Sequence, residues 1–127
     1  MRTQNYSKKR QAIYQLLLST KEHPSAEWLH NQLKSEYPDL SLGTVYRNLK
    51  LLENNGVIRS VAVVDGRERY DAVMSLHPHF VCVNCGRVVD VIMKRDIKEL
   101  TDGSYIQGIG KVEFLSLIYY GRCDDCR

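Results

Sequence analysis

No stretch of this 127-residue chain approaches the roughly 18–20 consecutive apolar residues that a membrane span requires. The opening residues, Met1-Arg2-Thr3-Gln4-Asn5-Tyr6, are polar and resemble no export signal. A soluble cytoplasmic protein with no membrane partner is therefore expected. A strong excess of one charge is lacking too: the net charge is +3, weak evidence by itself for nucleic-acid binding. Cysteine is absent except at four positions, and the length suits one domain or two small ones.

Those four cysteines stand in two pairs, Cys82-Val83-Asn84-Cys85 and Cys123-Asp124-Asp125-Cys126. Two CxxC pairs can bring four thiolates to one ion, the tetrahedral all-sulfur set of a structural zinc site. Disulfides are the alternative, but a cytosolic compartment would keep them reduced. The pairs lie 38 positions apart, so closing the site ties the C-terminal end to mid-chain. A closed four-cysteine site has no open position for substrate. Function must lie elsewhere.

Charge is unevenly spread. Residues 1–70 hold 11 Lys/Arg against 7 Asp/Glu, and residues 71–127 hold 7 against 8. Helical spacing in the basic half predicts three helices. The first covers about 8–19, with Ser7 as its cap and Ile13, Leu16 and Leu17 on its apolar side. The second starts after Ser25 and carries Ala26, Leu29, Leu33 and Tyr37 up to Pro38. The third runs from a Ser41 cap to Asn54, closed by Asn55-Gly56. On it, Leu42, Val45, Leu49 and Leu52 form an apolar stripe, while Gly43, Tyr46, Arg47, Lys50 and Asn54 fall opposite.

An outward aromatic, a guanidinium and an ammonium suit a DNA major groove, although plain solvation suits them as well. The next segment shifts the balance: Val57–Val64, an Asp65-Gly66 turn, then Arg67-Glu68-Arg69-Tyr70 read as a β-hairpin with arginines near its tip. Three helices and such a hairpin form a winged helix-turn-helix.

Histidines and carboxylates cluster around the first CxxC. His77-Pro78-His79 leads into Phe80-Val81-Cys82, Asp71 lies upstream at the end of the hairpin, and Asp90 lies in an Arg87–Ile92 strand. Strand parity sends His77 and His79 one way and Cys82 the other. His23 precedes Pro24 in the loop before the second helix, and His30 reads as an ordinary helix residue. Such an N/O set suits Fe2+, Mn2+ or Zn2+ and disfavours Cu+.

Three stretches, Leu40–Leu52, His77–Gly86 and Tyr120–Cys126, resemble the ferric uptake regulator (Fur) superfamily in order and spacing. The resemblance implies an α+β chain. Residues 1–72 would be a winged helix-turn-helix DNA-binding domain, and residues 73–127 a small α/β dimerisation domain with the four-cysteine zinc site. It further implies a homodimer on an AT-rich inverted-repeat operator in double-stranded DNA, bound when a regulatory metal is present. DNA contacts would come from Gly43, Thr44, Tyr46, Arg47, Asn48 and Lys50 on the third helix and from Arg67 and Arg69 on the hairpin.

Within the superfamily the chain is most similar to the peroxide-sensing (PerR) branch. That likeness implies regulatory Fe2+ or Mn2+ held by His23, Asp71, His77, His79 and Asp90, with His23 and His77 as oxidation targets. Asp90, where iron sensors usually carry Glu, favours this branch. A sensor of iron, zinc or manganese without peroxide chemistry is the alternative. Leu76, Pro78 and Phe114-Leu115 replace histidine-bearing positions of iron sensors, so a further metal site is expected to be absent. The N-terminal extension is short, and Asp96–Thr101 is at most a brief helix. A metalloenzyme would leave Tyr46, Arg47 and Lys50 unexplained, and no general base is evident, so no enzymatic activity is expected.

Overall fold

Gly56 shows how closely local sequence dictates the N-terminal helices. Its φ of +75° is one that glycine adopts without penalty. Gly56 N–H donates to Glu53 O at 3.0 Å and Val57 N–H to Leu52 O at 3.1 Å, which closes the last turn of the helix before it. The computed structural model describes residues 2–94 and 105–127. It divides into two compact units, Met1–Met74 and Ser75–Arg127. The Asp96–Thr101 helix expected from sequence lies outside the described residues.

The first unit contains helices α1 (Arg2–Ser19), α2 (Ala26–Leu33) and α3 (Leu42–Asn54), then strands β1 (Arg59–Val64) and β2 (Arg67–Asp71). Helix α1 begins five residues before Ser7, so Ser7 lies inside it instead of capping it. Apolar periodicity marks only the packed part of a helix, and no Gly or Pro interrupts residues 2–19. Helix α2 ends at Leu33 and not near Tyr37. Pro38 disfavours helical backbone at the residue before it, and only a single turn, Tyr37 N–H to Leu33 O at 2.9 Å, continues the path.

Ser25 and Ser41 cap α2 and α3, their hydroxyls accepting from Trp28 N–H at 3.3 Å and Thr44 N–H at 3.0 Å. Ile13 and Leu17 of α1, Leu29 and Leu33 of α2, and Val45, Leu49 and Leu52 of α3 pack into one core with Ile58 and Tyr70. Strands β1 and β2 form a hairpin whose two turn residues, Asp65 and Gly66, both have positive φ, 52° and 76°. That is the backbone a two-residue turn needs to match strand twist. A bulge between Ser60 and Ala62 buries Val61 and Ala62 in succession, which explains the weak alternation of this strand in sequence.

The second unit contains β3 (His79–Cys82), β4 (Val88–Asp90), β5 (Tyr105–Ile106), β6 (Gly110–Lys111) and β7 (Ile118–Gly121). Strand β3 is central, antiparallel to β4 and parallel to β7. Its register sets His79 opposite Asp90 at one end and Cys82 opposite Gly121 at the other. The histidines and the cysteines therefore sit at opposite ends of one short sheet. Among the described residues, no helix is long and apolar enough to cross a membrane.

Candidate metal centres and nucleic-acid face

The four cysteines converge. One sulfur from each of Cys82, Cys85, Cys123 and Cys126 lies within 4.8 Å of all the others. Cys85 Sγ and Cys123 Sγ are 3.8 Å apart. A tetrahedral zinc with Zn–S bonds of about 2.3 Å requires sulfur–sulfur edges of about 3.8 Å, so the set fits zinc.

The chain reaches this geometry through two tight turns, Gly86 N–H to Cys82 O at 2.9 Å and Cys126 N–H to Cys123 O at 2.9 Å. Backbone N–H groups of Cys85 and Cys123, each 3.4 Å from Cys82 Sγ, pull that thiol down to about 5. Cys82 is thus prepared to be a thiolate ligand. Gly121 is the tight spot before the second pair. A Cβ there would meet the Phe80 ring at 3.2 Å.

In the first unit His23 and Asp71 are both buried, with His23 Nδ1 3.6 Å from Asp71 Oδ2. Asp71 turns its other oxygen to Val73 N–H at 2.8 Å, which fixes the carboxylate. His23 holds a left-handed backbone, φ 51°, unusual for a residue with a Cβ. Its loop is tied down by Tyr70 N–H, which donates to Pro24 O at 3.0 Å. Arg69 adds two more ties: Nε donates to His23 O, and Nη2 donates to Glu22 O at 2.7 Å.

In the second unit Asp90 Oδ1 lies 3.0 Å from His77 Nε2 and 3.3 Å from His79 Nε2, and the two rings are 4.5 Å apart. His77 Nδ1 lies 2.7 Å from Ser75 O, a carbonyl that can only accept. Nδ1 is therefore the ring nitrogen that donates to the backbone, and Nε2 is the one turned toward Asp90. His77 precedes strand β3 instead of lying in it, but the shared parity still brings both rings to one carboxylate. Each unit thus carries a partial N/O ligand set, two groups in the first and three in the second.

On α3, Gly43, Tyr46, Arg47 and Lys50 are exposed, as is Arg67 on the hairpin. Three residues expected to contact DNA face elsewhere. Thr44 and Asn48 are buried: Thr44 Oγ1 bonds Ser41 Oγ at 2.9 Å, and Asn48 Nδ2 donates to Thr44 O at 3.0 Å. Their positions adjoin Val45, Leu49 and Leu52 on the wheel, so a full-width apolar face takes them in. Arg69 is the third, its guanidinium spent on the His23 loop. The exposed set is corrected to Gly43, Tyr46, Arg47, Lys50 and Arg67. His30 is structural, with Nε2 2.8 Å from Leu40 O.

A helical unit with a hairpin, followed by a small sheet bearing a tetracysteine cluster and a His/Asp set, defines a metal-binding α+β protein. The profile of the ferric uptake regulator family matches residues 2–113. The chain belongs to that family, whose members are transcription regulators; its second CxxC pair lies beyond the matched stretch.

The chain is 32% identical over 119 residues to the peroxide operon regulator of Bacillus subtilis, covering 92% of this chain and 80% of that protein. It is similar to the crystal structure of the Campylobacter jejuni peroxide stress regulator, with TM-score 0.80 and 30% identity over 96% of this chain and 91% of that one. It is also similar to an iron-containing structure of the ferric uptake regulator of Francisella tularensis, with TM-score 0.75 and 25% identity over 94% and 91%.

Proposed function

We propose that this chain is a metal-dependent, DNA-binding repressor that senses peroxide. In this reading residues 1–72 act as a winged helix. Helix α3 enters the major groove with Tyr46, Arg47 and Lys50, and Arg67 on the hairpin touches the DNA backbone. Residues 73–127 pair two copies, so that two α3 helices meet an AT-rich inverted repeat. The four-cysteine set holds one structural Zn2+ per chain. His23 and Asp71 of the first unit and His77, His79 and Asp90 of the second would hold one regulatory Fe2+ or Mn2+.

The observation that carries this reading is the pair of N/O ligand sets, two groups in the first unit and three in the second, neither of which alone fills a six-coordinate shell. Joining them by one ion fixes the two units at one angle, and a two-fold operator accepts only one spacing of α3 helices. Differential binding of the ion to that arrangement shifts the population toward it. A hundredfold gain in operator affinity needs about 2.7 kcal/mol of coupling.

Asp90 and the likeness to two peroxide regulators favour peroxide as the signal. Fe2+ held by these residues would supply the redox chemistry that activates hydrogen peroxide, and Mn2+ in the same place would not. His23 and His77 each gain one oxygen atom from peroxide at the imidazole C2–H, with water as the other product. A 2-oxo-imidazole is a poor ligand, so its formation releases the metal and the DNA.

The test treats Fe2+- and Mn2+-loaded protein with micromolar peroxide, followed by peptide mass spectrometry and gel shift. A one-oxygen gain on the His23 or His77 peptide, only with Fe2+ and together with loss of the shifted band, is expected. Absence of that gain in the Fe2+ form refutes peroxide sensing. The likeness to the Francisella iron regulator favours a second reading, a metal sensor without peroxide chemistry. Metal-dependent DNA binding that survives peroxide would establish it.

A further inference from the structure

Tyr46 stands exposed on α3, and its hydroxyl is not available for every role a tyrosine can play. It donates to Glu27 Oε1 on the first turn of α2 at 2.5 Å. A phenol has one proton to give. Glu27 is a carboxylate at neutral pH. Burial pushes its carboxyl upward, but the Tyr46 hydrogen bond, its own backbone N–H and Arg67 outweigh that and hold it below the usual range. The same bond raises Tyr46 above an ordinary phenol, so its proton stays. The second carboxylate oxygen, Oε2, is buried, accepts no hydrogen bond among the described residues, and lies 3.8 Å from Arg67 Nε. Tyr46 also lines a concavity with Arg47, Lys50, Glu53, Glu68 and Tyr70.

With its proton committed to Glu27, the Tyr46 oxygen presents only lone pairs to whatever enters that concavity. A DNA phosphate is also an acceptor and meets Glu27 behind the phenol, so a phosphate contact is disfavoured. In the major groove, adenine N6 and cytosine N4 offer amino hydrogens, whereas guanine O6 and thymine O4 offer lone pairs. We infer that Glu27 is a positioning residue that fixes Tyr46 as an acceptor, so that Tyr46 selects an amino-bearing base, adenine or cytosine, at one position of each half-site. This rests on the DNA-binding reading and adds to it a base preference and the residue that sets it.

The experiment selects binding sites from a randomised duplex library with Mn2+-loaded full-length protein. It compares wild type, Glu27→Gln, Glu27→Leu and Tyr46→Phe, each checked for folding by circular dichroism. One hydrogen bond predicts about a fivefold preference for adenine or cytosine over guanine or thymine at one position. Glu27→Gln retains an acceptor for the phenol and keeps this preference.

Glu27→Leu frees the phenol to donate as well as accept, so the preference vanishes there while the rest of the half-site is unchanged. Tyr46→Phe loses the amino preference and leaves only ring contact with a thymine methyl. Should Glu27→Leu fail to fold, Tyr46→Phe decides. Retention of the amino preference by folded Glu27→Leu or by Tyr46→Phe overturns the inference. A wild-type protein that selects no sequence at all removes the repressor reading, and this inference with it.

Discussion

Replacing Arg69 with Met removes the guanidinium that spans Glu22 O and His23 O while keeping an apolar stem beside the loop. His23 sits at φ 51°, which costs about 1–3 kcal/mol for a residue with a Cβ, so its loop needs outside ties to stay in place. A hydrogen bond from a charged donor contributes about 1.5–3 kcal/mol. One tie, Tyr70 N–H to Pro24 O, survives the substitution. A net loss of about 1.4–2.8 kcal/mol in holding His23 ready for metal corresponds to about 10–100-fold weaker Mn2+ binding, in line with lost outer contacts at other metal sites.

Arg69→Lys retains the charge but not the two-pronged geometry and falls between. The assay is Mn2+ titration against a competing chelator, followed by gel shift with Mn2+ in excess, which restores operator binding to Arg69→Met. An Mn2+ affinity within twofold of wild type refutes the reasoning. Weaker DNA binding with unchanged metal affinity and a shallower salt dependence would return Arg69 to the DNA face.

Purified protein is expected to carry one zinc per chain, measured by elemental analysis. Cys123→Ala should lose it and melt well below wild type, because apparent zinc binding energies of about 10–16 kcal/mol are coupled to folding; a zinc-free variant with unchanged melting contradicts this. Lys50→Ala should weaken operator binding and reduce the salt slope by about one ion, since Lys50 is exposed on α3. Asn48→Ala should instead lower stability with the salt slope intact, because Asn48 is buried on its own helix. Gly56→Ala should cost about 1–2 kcal/mol in urea denaturation: no atom lies within 4 Å of the added Cβ, and the positive φ alone opposes it.

The features legible in sequence are those whose physics is local. Ser25, Ser41 and Gly56 cap helices through bonds to residues three positions away. Asp65-Gly66 has the backbone freedom of a two-residue turn. Two CxxC pairs carry their own spacing, and His77-x-His79 keeps both rings on one side even though only His79 lies in the strand. Long-range ties left no such trace.

Arg69 reaches loop atoms 46 positions away, and its place near the hairpin tip suggested a DNA contact. Glu27 meets Tyr46 across 19 positions, a separation that no local spacing rule covers. Thr44 and Asn48 look like groove-facing polar residues until the width of the apolar face is counted. The Val61 bulge breaks the two-residue period of the first hairpin strand, which the Asp65-Gly66 turn still made legible.

The most direct test of the central claim is anomalous diffraction at the manganese edge from crystals of Mn2+-saturated, zinc-replete protein. One manganese per chain, bonded to His23 and Asp71 and also to His77, His79 and Asp90, is the predicted result. Manganese held by residues of one unit alone, or two separate ions on the two partial sets, would contradict it.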